Sequence, residues 1–558
     1  MQTFTRVFYG ATAIVVSLSL VDVSDATASP LRLVARTGQM RPVPGTLASP
    51  PSIEARLDSI ESYSMNNLGQ AAFSARTSRG TAVWSETSGD LAFAIERGPV
   101  PGLPPNSVYS FQAFYGVSFP PSAPLLRLDD QGRTLYGGLV DWPSSANLRG
   151  AAAYWTHQGD HISLIAGEGT PAPLSYAGMY FRELGSFDSF PRSGHGVAYK
   201  SATGGEFFAV PALLGFIGSG STSVQRSLWV MGPAGPRHVQ TLSGSFFGSQ
   251  PLDLAVNRLG DAAYERFSPT GGLMLMREQA ETAATIFDRT TAYPGAAPGA
   301  YFIDAADLHL NDAGTLGFMG VAGGPRDFLR DQGLFVVDAA GAMRNVVLEG
   351  AAVPDVPNTP LGLPGAIFRG ANVVNTPFRL RALGANDEVV FQASLTTPAG
   401  GATQQETLWI DRDGALTRLL SAGDSMPGLP ADQRLLTGFT SPFTQVQIND
   451  QGMIVVQAAY SRVGANPGSG IWALKPGADD FTLIAAIGQS LELPDGTAGA
   501  LSTLTLGEVN SRGQILMKAR YGQYDALIIS NAVAIPEPSS LLLMVSLAAL
   551  MSARRSVA

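Results

Sequence analysis

Not one cysteine occurs in these 558 residues, so disulfides are excluded and stability has to come from buried apolar surface, which a chain of this length can supply. Charge is scarce too. Lys, Arg, Asp and Glu make up 15% of the chain, which excludes a coiled coil and a charge-solvated disordered polymer. The formal net charge is −9 and no extended basic cluster occurs, so nucleic acid and anionic lipid are excluded as main partners. Histidine is limited to positions 157, 161, 195, 238 and 309, and there is no His-Glu-x-x-His, Gly-x-Ser-x-Gly or phosphate-binding glycine loop. What the chain has in plenty is punctuation: 63 Gly and 38 Pro, the composition of a turn-rich fold of short elements.

The two ends differ from the middle. Met1 to Arg6 is a short basic start, and Val7 to Leu20 is apolar apart from small and hydroxyl residues. Ala26-Thr27-Ala28 supplies the small-residue pattern of a signal-peptidase site, so residues 1–28 read as a signal peptide cleaved after Ala28. At the other end Pro536-Glu537-Pro538 closes the folded body, because a rigid Pro-x-Pro element cannot continue a helix. Ser539 to Ala553 is uncharged and shorter than the about 17 to 25 residues that cross a bilayer with ease, and Arg554-Arg555 follow it. These residues resemble the PEP-CTERM signal of bacterial surface and secreted proteins. The resemblance implies export, transient membrane association through a tail spanning 535–558, and an exosortase-type processing enzyme as partner.

Between the ends, residues 29–534 repeat. Asn66-Asn67-Leu68-Gly69 leads to Phe73, Asp129-Asp130-Gln131-Gly132 to Tyr136, Asn257-Arg258-Leu259-Gly260 to Tyr264 and Asn311-Asp312-Ala313-Gly314 to Phe318. Asn449-Asp450-Gln451-Gly452 leads to Val456, and Asn510-Ser511-Arg512-Gly513 to Met517. Two altered copies are Pro191-Arg192-Ser193-Gly194 before Tyr199 and Gly384-Ala385-Asn386-Asp387 before Phe391. Eight copies result, at a spacing of about 63 residues. Each is followed by a strand-like run ending near a large apolar residue: Trp84, Trp155, Trp229, Met274, Phe335, Trp409, Trp472 and Leu527. Each is preceded by an apolar run that ends on a slot held by Gly38, Gly98, Gly167, Gly244, Thr290, Gly350, Gly423 or Gly488 and, in most cases, by a nearby proline.

The shared tetrapeptide is the chemistry of a β-hairpin. Asn or Asp at the first position accepts a hydrogen bond from the backbone two residues on, and Gly three places later tolerates the left-handed backbone that starts the return strand. A calcium-loop reading of Asp129-Asp130-Gln131-Gly132 is weaker, because the spacing is not that of an EF-hand and most copies carry one acid or none. The expected fold is all-β, an eight-bladed β-propeller of units each whole in sequence, so that no terminal strand crosses over to close the ring. An open β-solenoid is the alternative, although its repeats are usually much shorter. The pattern also resembles the tandem Asn-x-x-Gly-x-x-x-aromatic repeat proteins that carry interchangeable C-terminal anchors, the choice-of-anchor repeat family. That resemblance implies surface display and transfers no catalytic residue.

Candidate chemistry is thin. His157 and His161 stand four apart, but Gln158-Gly159-Asp160 between them reads as a turn with both histidines exposed. Gly423-Asp424-Ser425 has the look of a Gly-Asp-Ser esterase block, yet Gly38-Gln39-Met40, Gly350-Ala351-Ala352 and Gly488-Gln489-Ser490 fill the same slot. No cofactor or metal set is legible. The expected function is an exported, surface-associated, non-catalytic scaffold or binding protein, for instance of an exopolysaccharide matrix, with any ligand site in the loops at one end of the ring. The alternative is a propeller enzyme acting on extracellular polysaccharide. A calcium-stabilised adhesin would need more acidic loops.

Overall fold

A computed structural model describes residues 31–43, 53–77, 80–86, 92–95, 108–110, 126–141, 149–158, 161–167, 170–173, 179–184, 207–216, 225–242, 253–268, 272–295, 298–324, 332–354, 365–369, 378–397, 405–437, 441–462, 467–492, 496 and 498–531. Their strands fall into separate antiparallel sheets of four or five strands, eight in number. One sheet illustrates the plan. Its inner strand Phe443–Ile448 runs into the Asn449 turn, Ile454–Arg462 returns, Gly468–Leu474 runs back, and Thr482–Ala486 forms the outer edge. Ile454-Val455-Val456 can be apolar without alternation because both faces of the sheet are covered. Ile454 and Val456 pack with Leu408 and Ile410 of the preceding sheet, while Met453 and Val455 pack with Leu504 and Met517 of the following one. The core is therefore a series of layers between neighbouring sheets, the arrangement of a β-propeller.

The ring is closed. Asn510 Nδ2 donates to the Asn66 carbonyl at 3.2 Å, joining the last turn to the first, which removes the open solenoid. The strand Leu31–Arg36 pairs antiparallel with Tyr524–Ser530, Leu31 opposite Ser530, and so supplies the outer strand of the last sheet. The expectation that no strand crosses between the ends is overturned: each apolar run before a slot such as Gly423 belongs to the preceding blade. The physical reason is edge protection, since without Leu31–Arg36 the strand Tyr524–Ser530 would present an unpaired edge.

Seven blades carry a described inner turn, at Asn66, Asp129, Asn257, Asn311, Gly384, Asn449 and Asn510, where eight were expected. The remaining sheet, Met179–Leu184, Phe208–Phe216, Gln225–Gly232 and Gly235–Leu242, corrects the third copy. Val210, not Tyr199, stands opposite Trp229, and residues 191–199 lie outside the described residues. Elsewhere the register places Phe73 opposite Trp84, Tyr136 opposite Trp155, Phe318 opposite Phe335, Phe391 opposite Trp409 and Val456 opposite Trp472. Tyr264 faces Met276 rather than Met274, and Met517 faces Ile528 rather than Leu527. Phe73 and Trp84 stack at 5.3 Å and Tyr136 and Trp155 at 5.6 Å, cross-strand pairs worth about 0.2–1 kcal/mol each beyond Ala–Ala.

Candidate functional site at the axial turns

The repeated tetrapeptides converge around the ring axis. In each regular copy the first residue closes its own turn: Asn449 Oδ1 accepts from the amides of Gln451 at 3.1 Å and Met453 at 2.9 Å, and Gly452 N donates to Asn449 O at 2.9 Å. Gly69, Gly132, Gly260, Gly314, Gly452 and Gly513 hold φ between 76° and 83°, and Asp387 takes the same slot at 64°. Only glycine adopts that backbone without strain, which explains the repeat's most regular letter.

The amide half of the asparagine has a second task. Asn66 Nδ2 donates to the Asp129 carbonyl at 2.9 Å, Asn257 Nδ2 to Asn311 O at 3.0 Å, Asn311 Nδ2 to Gly384 O at 2.9 Å, and Asn449 Nδ2 to Asn510 O at 2.8 Å. Each turn is thus tied to the next in chain order. Asn and Asp are not equivalent here, contrary to the sequence reading: Asp129 has no N–H to give, and its Oδ2 instead accepts from Arg133 Nε at 2.6 Å.

The second residue of the turn forms a polar layer. Asn67 donates through its backbone N at 2.7 Å and its Nδ2 at 2.9 Å to the Asp130 carboxylate, and its own Oδ1 accepts from Ser511 N at 3.0 Å. Arg258 pairs with Asp312 of the next turn and reaches Asp450 with Nη1 at 2.8 Å. Burial pulls the Arg258 guanidinium down, but Asp450 and Asp312 more than offset that and hold it above its ordinary value.

Beneath the turns, inward-facing acids fasten blades to one another. Glu508 accepts from Met65 N at 2.6 Å, Ser64 Oγ at 3.0 Å and Arg127 Nη1 at 2.6 Å, so one carboxyl joins three blades. Burial raises its pKa despite Arg127 and these bonds, and Tyr63 beside it is pushed up to about 12 by burial and by Glu508. Glu265 accepts from Asp253 N at 3.2 Å and Ala305 N at 3.1 Å, and burial with Asp304 and Asp253 nearby holds it well above the usual carboxylate range. Ala305 sits just after a register shift in the strand Tyr301–Leu310, where the bulge leaves backbone groups for a side chain to satisfy. Gln457 does the same for the bulged inner strand Ala498–Val509 of the blade after its own, accepting from Leu506 N at 2.7 Å and donating to Leu504 O at 2.9 Å.

An arginine latch recurs that the sequence reading missed. Arg32, Arg237 and Arg344 occupy one position of the outer strand, and they pair with Glu86, Glu278 and Asp411, each two residues after the large apolar slot of the next blade. Arg32 Nη2 and Arg237 Nη2 also donate to the carbonyls of Gly69 and Gly260, both at 2.6 Å. Acids two residues after Trp84, Met276 and Trp409 were the available signal.

The other candidates do not gather. His157 is buried in the strand Arg149–Gln158, which corrects its expected exposure, and His161 is exposed at the start of His161–Gly167. His238 packs edge-on against Trp229 at 5.0 Å, where burial lowers its pKa; His309 is on another blade, and His195 lies outside the described residues. Gly423 N donates to Leu435 O at 3.0 Å, as Gly350 N does to Phe368 O and Gly488 N to Leu501 O, so the Gly-Asp-Ser block follows the repeat. Asp424 Oδ2 is used by Ser421 N at 2.7 Å, and Gln489 Oε1 serves Ala486 N likewise at 3.0 Å. Gly167 ends its strand and is not the slot residue, because Thr170 Oγ1 caps it at 3.1 Å from two places beyond the expected position. Among the described residues no three His, Asp or Glu side chains come together to hold a metal. Pro536, Glu537, Pro538, Arg554 and Arg555 lie outside the described residues, as does residue range 1–28.

Solved structures match this chain at low identity and low TM-score. The WD40 domain of SCAP from fission yeast is 12% identical over 88% of this chain and 98% of its own, with a TM-score of 0.35. The Dos1 propeller is 9% identical over 91% and 96%, with a TM-score of 0.30. The Penicillium chrysogenum α-L-arabinanase complexed with arabinobiose is 10% identical over 59% and 91%, with a TM-score of 0.26. No curated protein matches the sequence. One family model covers most of the chain in two overlapping stretches, residues 4–201 and 65–542, as suits a sequence that repeats, and on that match the chain belongs to the family of unknown function DUF7453.

Proposed function

We propose that the chain is an exported, surface-associated scaffold that binds rather than transforms its partner, an extracellular polysaccharide. The observation that carries this reading is the use made of the repeated and ionisable residues. Asn, Gly and the inner acids are engaged by the backbone of neighbouring blades, as Glu508 is by Met65 and Glu265 by Ala305, and the mouth acids Asp312 and Asp450 are held by Arg258. General acid–base work on a glycan needs a carboxyl of raised pKa open to substrate. Glu265 is raised but buried, while Glu508 and Asp424, also raised, are taken up by Met65, Ser64 and Arg127 and by Ser421 N, which counts against the alternative of an enzyme acting on polysaccharide.

The same reading has residues 1–28 removed as a signal peptide, 29–534 as the working body and 535–558 as a sorting tail acted on by an exosortase-type enzyme. It takes the sheet that includes Phe208–Phe216 as an eighth blade between the Asp129 and Asn257 turns, supported by the eight separate sheets and by the Val210–Trp229 register. Mass spectrometry of the surface fraction tests export: a chain starting near Ser29 and lacking Leu541 to Ala558 is expected, and an intact chain confined to the cytoplasm would sink it. Glycan-array binding alongside polysaccharide-degradation assays tests the activity. Binding without turnover is expected; turnover abolished by a mutation in the body refutes the scaffold.

A further inference from the structure

Both ends of the described body lie on one face of the ring. Leu31 pairs with Ser530, Ser530 pairs with Ile515, and Ile515 stands two residues beyond the turn glycine Gly513. Asn531 Oδ1 accepts from Gln514 Nε2 at 2.8 Å, and Arg32 Nη2 donates to Gly69 O, so each end is fastened beside an axial turn. The opposite face is about 20 Å away, the run from Ile454 to Tyr460 at about 3.3 Å per residue. There lie the slots Gly38, Gly350, Gly423 and Gly488, the segments that follow them, and the hairpin tip at Gln523.

From this placement we propose an orientation: the face bearing the axial turns is held toward whatever the C-terminal tail is joined to, and the opposite face, with its slot loops, meets the partner in the medium. The proposal rests on the export and sorting reading above. Four residues lie between Asn531 and Pro536, so Pro536 is at most about 18 Å from the turn face. The tail therefore leaves the body from the turn face, which is the nearer of the two faces to the attachment point. Among the described residues, the turn face carries tetrapeptide turns and tight hairpins such as Gly232↔Gly235 and Arg412↔Ala415.

The absence of native cysteine makes the test direct. Single-cysteine variants of the full chain place a thiol on the far face, Asp432→Cys or Gln523→Cys, or on the turn face, Leu259→Cys or Gln451→Cys, all at exposed positions. A bulky, membrane-impermeant maleimide is added to intact cells and to the released protein. On cells, the two far-face variants are expected to label several-fold faster than the two turn-face variants, while all four label at similar rates after release. Equal rates on cells, or faster labelling of the turn face, overturn the orientation alone. If no variant labels until the cells are lysed, the chain is not at the surface, and the export reading falls together with this one.

Discussion

Asp450 and Arg258 belong to turns three blades apart, yet Nη1 and Oδ2 are 2.8 Å from each other, so one guanidinium spans the axial mouth while also holding Asp312. Arg258→Met removes both pairs and leaves two carboxylates facing each other. Both acids are partly solvated, and the expected loss is about 1 kcal/mol at low salt, shrinking at high salt. Chemical denaturation at two ionic strengths checks this, and a salt-independent midpoint change would mean that the bridge is not held in solution.

The two halves of the turn asparagine can be separated. Asn449→Asp keeps the oxygen that closes the turn but loses the donor to Asn510, whereas Asn449→Ala loses both. About 1–2 kcal/mol is expected for the first and about 2–3 kcal/mol for the second. Equal stability of Asn449→Asp and the parent in urea titrations would show that the link between blades contributes nothing.

Turn glycines differ in what surrounds them. A Cβ at Gly452 would meet Glu388 Oε1 at 3.2 Å, but one at Gly69 would meet Gln514 Oε1 at 2.1 Å. Gly452→Val is expected to cost about 1–3 kcal/mol through left-handed strain alone. Gly69→Val should cost more, because Gln514 must also give up Asn531 or Asn510. Thermal melts of the pair rank them, and the reverse order is the outcome that contradicts the packing.

Glu265 sets a pH dependence of definite sign. Its folded pKa is raised, so the folded state binds its proton more tightly than the unfolded chain, and stability falls as pH rises from the unfolded carboxylate value toward the folded one. Across that window each pH unit costs about 1.4 kcal/mol. Glu265→Gln, unable to ionise, should flatten this part of the curve and gain on the parent as pH rises, from parity or a small deficit in acid. Denaturant midpoints from acid to neutral pH read the difference; parallel curves would mean that Glu265 is not held protonated.

The propeller was legible because its signals are local: an Asn-x-x-Gly turn recurs at a fixed spacing and is followed by a short apolar strand. The third copy failed because a spacing rule has no knowledge of register, and only pairing with Trp229 distinguishes Val210 from Tyr199. Closure by Leu31–Arg36 was hidden for a related reason, since an outer strand looks alike whichever neighbour it joins. The mouth was only half readable. Arg258 and Asp450 are ordinary second-position residues in a list of turns, and their meeting depends on a curvature that no stretch of sequence encodes. The arginine latches carried a periodic signal, an acid two places past the large apolar slot, that a search centred on glycine passes over.

The bond from Asn510 to Asn66 spans 444 positions of chain, and it can form only after every intervening blade has found its place. Contacts of such separation carry a loop-closure entropy that favours late formation, so the seam between Leu31–Arg36 and Tyr524–Ser530 is expected to zip last and open first. Amides of the strand Leu31–Arg36 are accordingly expected to exchange with solvent ahead of those in Ile454–Arg462, and a protease that waits for transient opening is expected to enter at the junction of the chain's two ends.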